Sequence, residues 1–202
     1  MTPTDRLVCQ FAAEPPQDGI PYGRWADRLR EEFLAACLRV DGEGTDLGEP
    51  TDISWFPDRT WNGRTYVPAT TRTTTGLELF GHVSYAPATD EHEASDFAAT
   101  AEFTDELAED HPDWRLDLCD EVLGGWRGEQ GKVAAMTLVW GRPLLSGGAT
   151  VTAELAGLAV DQCALVEGRF TLIAPDDYRG DTLEVHLWDE RGGELARESL
   201  YE

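Results

Sequence analysis

From Leu183 to Leu187 apolar residues occupy every second position, with Glu184 and His186 between them, the period of a β-strand with one buried face. Asp189-Glu190-Arg191-Gly192-Gly193 then supplies two glycines for a tight reversal, and Glu194 to Leu200 reads as the returning strand. The same pattern extends back to about Lys132. Val133 to Trp140 is apolar at both parities, as in a central strand covered on both faces. Val151-Ala153-Leu155, Leu158-Val160 and Phe170-Leu172 continue the series. Further upstream, Trp114, Leu116 and Leu118 alternate with Arg115, Asp117 and Cys119, and Gly124-Gly125 splits the following strand with a bulge or kink.

Earlier in the chain the period is also two. Ile53-Ser54-Trp55-Phe56 is a short strand, and Asn62-Gly63 predicts a type I′ hairpin joining Thr60-Trp61 to Arg64-Val67. Pro57 and Pro68 predict edges or bulges, since proline donates nothing to a ladder. The threonine-rich run from Ala69 to Thr75 fits a strand or an exposed loop. Leu77, Leu79, Val83 and Tyr85 alternate with Glu78, Phe80, His82 and Ser84, and Gly81 marks a place where another backbone comes close. After a polar loop, Phe97, Ala99, Ala101 and Phe103 share one side of a strand. Thr104 caps at most one or two helical turns before Pro112.

Only one segment has the helical period. Asp18-Gly19-Ile20-Pro21 is a helix start with proline at the first helical position, and Trp25, Leu29, Phe33, Ala36, Cys37 and Val40 form one apolar stripe. Val40-Asp41-Gly42 ends it. The expected architecture is mainly β: an antiparallel β-sandwich or partly open barrel of roughly nine to eleven strands. A single all-β domain over 1–202 is expected, with helix 21–40 laid on a sheet face or capping one end. A boundary, if there is one, falls near 146–148, at Ser146-Gly147-Gly148.

Composition changes this picture mainly through charge. The chain has 39 acidic against 16 basic residues, a formal charge of −23, and Lys132 is its one lysine. Such a surface repels polyanions, so direct nucleic-acid binding through phosphate neutralisation is not expected of the isolated chain. Solubility or a salty cytosol accounts for the acidity without a specific partner. No apolar run reaches membrane-spanning length, and the N-terminus carries no signal-peptide core. Cys9, Cys37, Cys119 and Cys163 are scattered without the spacing of a zinc or redox pair, so reduced, mostly buried thiols in a cytoplasmic setting are expected.

No motif fixes a reaction. The densest ligand set is Asp90, Glu91, His92, Glu93 and Asp96, followed by Asp105, Glu106, Glu109, Asp110 and His111. Asp176, Asp177 and Asp181 form a second set. Of these, Asp90, His92, Glu93, Asp176, Asp177 and Asp181 are the candidate metal ligands, calcium being the ion that dense carboxylates suit, although solvated loops and ordinary turns account for both stretches. Trp55 and Trp61, with Asp58, Arg59 and Arg64 nearby, offer a flat aromatic platform with polar neighbours for a sugar or peptide, although most such tryptophans are core or rim residues. His82 and His186 fall at outward positions of alternating strands and read as surface residues.

These features lead to a non-catalytic binding or assembly protein that works through protein-protein or small-ligand contacts, with a protein partner or self-association and no membrane. The alternative is a sugar-active hydrolase or isomerase using Asp113 and Asp117 as acid and base, the two facing the same way on one strand. A third reading is an acidic mimic of nucleic acid in the basic groove of another protein.

Overall fold

The computed structural model describes residues 24–127, 133–176 and 180–200. It is mainly β, and the described chain divides after Asp113 into two compact units. Twelve strands are described, slightly above the roughly nine to eleven expected, because pieces as short as three residues pair on their own.

The first unit contains the helix α1 (Arg24–Cys37) and the strands β1 (Pro50–Trp55), β2 (Arg59–Trp61), β3 (Arg64–Thr73), β4 (Glu78–Ala86) and β5 (Ser95–Thr104). They form one antiparallel sheet in the order β1-β3-β4-β5, with β2 also paired to β3. The predicted stripe is the buried one: Leu29, Phe33, Ala36 and Cys37 turn inward. Leu29, Phe33 and Cys37 pack with Trp55, Val67, Ala69, Leu79 and Val83 of the sheet. Opposite charges on the helix's outer side meet one turn apart, as Arg28 does with Glu32. Pro21 lies outside the described residues.

The hairpin at Asn62-Gly63 has positive φ at both residues, 51° and 75°, as a type I′ turn requires. Gly81 is also where the pattern placed a close approach: a Cβ there would lie 2.2 Å from the Thr100 carbonyl oxygen on β5. Pro68 corrects the expectation of an edge or bulge. It lies inside β3, a strand paired on both sides, at the gap where the partner changes from β2, ending opposite Tyr66, to β1, starting opposite Ala69. Its missing N–H costs no ladder bond there, and its carbonyl accepts from Phe56 N at 3.0 Å. The threonine run is strand as far as Thr73, and the turn after Thr104 tightens to one 3₁₀ turn, Ala108–Asp110.

The second unit contains β6 (Leu116–Arg127), β7 (Val133–Pro143), β8 (Gly148–Leu155), β9 (Leu158–Ala164), β10 (Phe170–Asp176), β11 (Leu183–Asp189) and β12 (Glu194–Ser199). Two antiparallel sheets result, ordered β10-β7-β6 and β12-β11-β8-β9. They share one core of Val139, Val151, Ala153, Phe170, Leu172, Val185, Leu187 and their neighbours, which makes the unit a sandwich; no sheet closes into a barrel among the described residues. β7 is central and buried at both parities from Met136 to Trp140, as its composition predicts. The register of β6 slips between Val122 and Gly124, where the glycine pair predicted a bulge. Ser146-Gly147-Gly148 joins β7 to β8 inside this unit.

A buried carboxylate ties the two sheets together. Asp161 on β9 is 1 % exposed; its Oδ1 accepts from Gln162 N and its Oδ2 from Ile173 N on β10, both at 2.8 Å. The N–H of Ile173 would otherwise be a buried donor outside the β7 ladder, and a buried donor is satisfied almost without exception.

Cys37 and Cys163 are buried thiols and Cys119 a half-buried one. Burial pushes the Cys37 thiol up from its ordinary 9.0 to about 11, against a smaller opposing effect from a backbone hydrogen bond. The folded chain therefore holds that proton where the unfolded chain has released it, and stability falls as pH rises from 9.0 toward 11. At neutral pH the thiolate is scarce, so native-state alkylation followed by peptide mass spectrometry should find Cys37 modified far more slowly than Cys119. Equal rates would show that the helix does not stay docked.

Candidate functional site

The outer face of β12-β11-β8-β9 carries the most concentrated chemistry in the described chain. His186 sits mid-strand on β11, opposite Thr152 of β8 and Arg197 of β12, pointing away from the sandwich core. Its Nδ1 is 3.1 Å from Glu194 Oε2, and its Nε2 is 3.7 Å from Glu184 Oε2 and 3.8 Å from Glu154 Oε2. The Trp188 ring stacks on the imidazole, 5.9 Å between centroids and 6° from parallel. Thr152 orients the group: its hydroxyl accepts from Trp188 Nε1 at 2.9 Å and donates to Glu154 Oε1 at 3.1 Å. Arg197 approaches Glu184 at 3.9 Å.

This corrects the surface reading of both strand histidines. His186 points outward but is 4 % exposed, because Trp188 and the glutamates fold over it, and its buried Nε2 has no hydrogen-bond partner among the described residues. His82 is 5 % exposed on the central strand β4, with the Tyr66 ring edge-on at 5.4 Å and Nδ1 3.1 Å from the Thr100 hydroxyl. Alternation gives the direction of a side chain; the length of its neighbours decides its exposure. The signal in the sequence was Glu184-His186-Trp188, an imidazole between two side chains long enough to cover it. Chemically the cluster combines an imidazole with carboxylates, the ingredients of a general base. Its Nε2 is closed off as part of the sheet's outer layer.

The other sequence candidates are dispersed. Asp113 is exposed on a turn, not on the strand that carries Asp117, and the two fall in different units. Asp117 Oδ2 accepts from Arg142 Nε at 2.9 Å. Trp55 is buried against Phe33, ring centroids 6.0 Å apart, while Asp58 and Arg59 are buried and Trp61 is half-buried. Arg64 donates to the Ser84 hydroxyl at 3.1 Å and the Asp96 carbonyl at 2.7 Å. Burial raises the Tyr66 phenol above its ordinary value, with the Arg64 charge opposing.

Of the proposed metal ligands, Asp90, His92, Glu93 and Asp181 are exposed. Asp176 is fully buried, and its Oδ1 accepts from Leu183 N at 2.9 Å, fixing the start of β11. Asp177 lies outside the described residues. Among the described residues no three His, Cys, Asp or Glu side chains are grouped to hold a metal ion. A shallow depression of about 330 Å³ is lined by Gly147, Gly148, Asp189, Glu190 and Arg191. The Asp189 carboxylate there is engaged by its own turn, accepting from Arg191 N at 2.8 Å and Gly193 N at 2.7 Å.

Among the described residues most carboxylates face solvent, and ion pairs such as Arg72 with Glu78 and Glu109, at 3.4 and 3.3 Å, are partly exposed and weak. A chain of charge −23 repels itself, over about 30 Å at 10 mM salt and about 3 Å at 1 M. The melting temperature should rise between those two concentrations of sodium chloride. A flat response would mean that the charges are already compensated. Calcium at matched ionic strength isolates ion-specific binding, because screening does not depend on the identity of the ion.

No family model, curated protein or solved structure matches the chain. Among the described residues no helix is long and apolar enough to cross a membrane.

Proposed function

We propose that this is a non-catalytic binding or assembly protein of the cytoplasm, acting on a basic protein partner through its acidic β surface. One observation carries the reading: Asp161 and Asp176 are buried and spent on backbone donors, while Asp90, Glu91, Glu93 and Asp96, and Asp105, Glu106, Glu109 and Asp110, form two exposed acidic runs in a chain of 39 acidic against 16 basic residues. Exposed like charge in excess raises the rate of encounter with an oppositely charged surface and rejects like-charged ones. The buried thiols Cys37 and Cys163 fit a reducing compartment. Nothing favours the carboxylate-pair alternative, since Asp117 is paired with Arg142 and Asp113 lies elsewhere.

The test is capture from the native lysate with the tagged full chain, at low salt and at about 0.15 M. One basic protein recovered in stoichiometric amount at both conditions supports the proposal. Recovery of no stoichiometric partner at either condition, or turnover of a glycoside by the purified chain that Asp117→Asn abolishes, would overturn it.

A further inference from the structure

We infer that the outer edge of β5 is a docking site for an extended, lysine- and arginine-rich segment of a partner protein, which joins the five-stranded sheet as an added strand. The inference rests on the binding reading above and specifies its surface and the partner's chemistry.

Among the described residues β5 pairs on one side only, with β4. The direction of its backbone groups follows from Gly81. A Cβ on that β4 residue would meet the Thr100 carbonyl oxygen at 2.2 Å, so Thr100 turns its carbonyl into the sheet. Strand alternation then turns the N–H and C=O groups of Ala99, Ala101 and Phe103 to the outside. The Ala99 carbonyl confirms the direction: it meets the guanidinium of Arg39, from beyond the helix, at 3.5 Å, the outer limit of a hydrogen bond. The β4–β5 ladder is regular from Ala98 to Thr104, and its irregularity is confined to the Ser95–Ala98 end. A straight row of outward donors and acceptors is a template for another strand.

The charge around this edge identifies the occupant. The strand runs between Asp90, Glu91, Glu93 and Asp96 at one end and Asp105, Glu106, Glu109 and Asp110 at the other, all exposed, with Glu102 exposed between them. Sheet edges are commonly blunted by lysine, and the chain's one lysine, Lys132, is not on this strand. Carboxylates here repel a second copy of β5 and attract a basic strand. From Asp96 to Asp105 an extended chain covers roughly 30 Å, so a segment of about ten residues with basic side chains toward both ends reaches both acidic runs. Ala99, Ala101 and Phe103 pack toward the helix, while Ala98, Thr100 and Glu102 leave the opposite side of β5 open to the incoming side chains.

The probe is a synthetic peptide of about ten residues alternating lysine and threonine, beside the same peptide N-methylated at neighbouring central residues, which keeps its charge but blocks both of its edges. Titration into the full chain at low salt should find the unmethylated peptide binding at least about tenfold more tightly, with exchange of the Ala99, Ala101 and Phe103 amides slowed on binding. Equal affinities for the two peptides would reduce the attraction to plain charge and overturn the docking site, while leaving the binding reading to stand or fall by lysate capture. Absence of binding by either peptide would also overturn it. Ala101→Pro removes one outward donor and should weaken the unmethylated peptide alone. Because that change can disturb β5 itself, Asp105→Lys with Glu106→Lys tests the charge arm without touching the strand; unchanged affinity with an unchanged melting curve would count against the proposal.

Discussion

Phe33→Ala should lower the unfolding midpoint of the helix-bearing unit severely. The ring is completely buried, packed against Trp55 at 6.0 Å and among Leu29, Val67, Leu79 and Val83. Removing a buried phenylalanine costs about 3 to 5 kcal/mol, the transfer of the ring plus the cavity left between helix and sheet. A domain's entire stability is about 5 to 15 kcal/mol, so the loss is a large share of it. Denaturant unfolding monitored separately for each unit is the measurement. A midpoint within error of wild type would mean that the helix is an arm for a partner and not part of this core.

Gly81→Ala should be comparably disruptive although it adds only one methyl group. The new Cβ would lie 2.2 Å from the Thr100 carbonyl oxygen and 2.9 Å from the Ala101 Cα, both backbone atoms of the paired strand. Backbone cannot rotate aside as a side chain does, so β4 and β5 must separate. Ordinary overpacking costs about 1 to 3 kcal/mol, and a clash with the ladder itself belongs at or above the top of that range. Amide exchange should show β5 losing protection first. A variant with wild-type stability and protection would mean that the two strands are further apart than described.

The elements legible in the sequence were those with a local physical signature. Period two gave the strands, Asn62-Gly63 a turn with two positive φ values, Gly124-Gly125 a bulge, and the spacing of Leu29, Phe33 and Cys37 the buried helix face. What escaped depended on contacts between distant residues. The division after Asp113 follows from which strands pack together, not from a local pattern. Pro68 reads as an edge residue until its two partners are known to be short strands meeting at a gap. The His186 cluster draws on β8, β11 and β12, and no spacing along one strand announces that Glu154 and Glu194 converge on it. Asp161 looks like an ordinary strand carboxylate, and only the position of β10 shows which donor it satisfies.

If the acidic surface is the means of binding, reversing its charge should release the partner, and capture with charge-altered chains measures this. Wild type, Asp105→Lys with Glu106→Lys, and Asp117→Asn are compared in the same lysate, each first confirmed to melt as a folded protein. The first two positions are exposed beside β5, whereas Asp117 pairs with Arg142 in the other unit. The double lysine variant should lose the stoichiometric partner while Asp117→Asn retains it. Equal recovery by all three chains would show that the partner does not bind through these carboxylates.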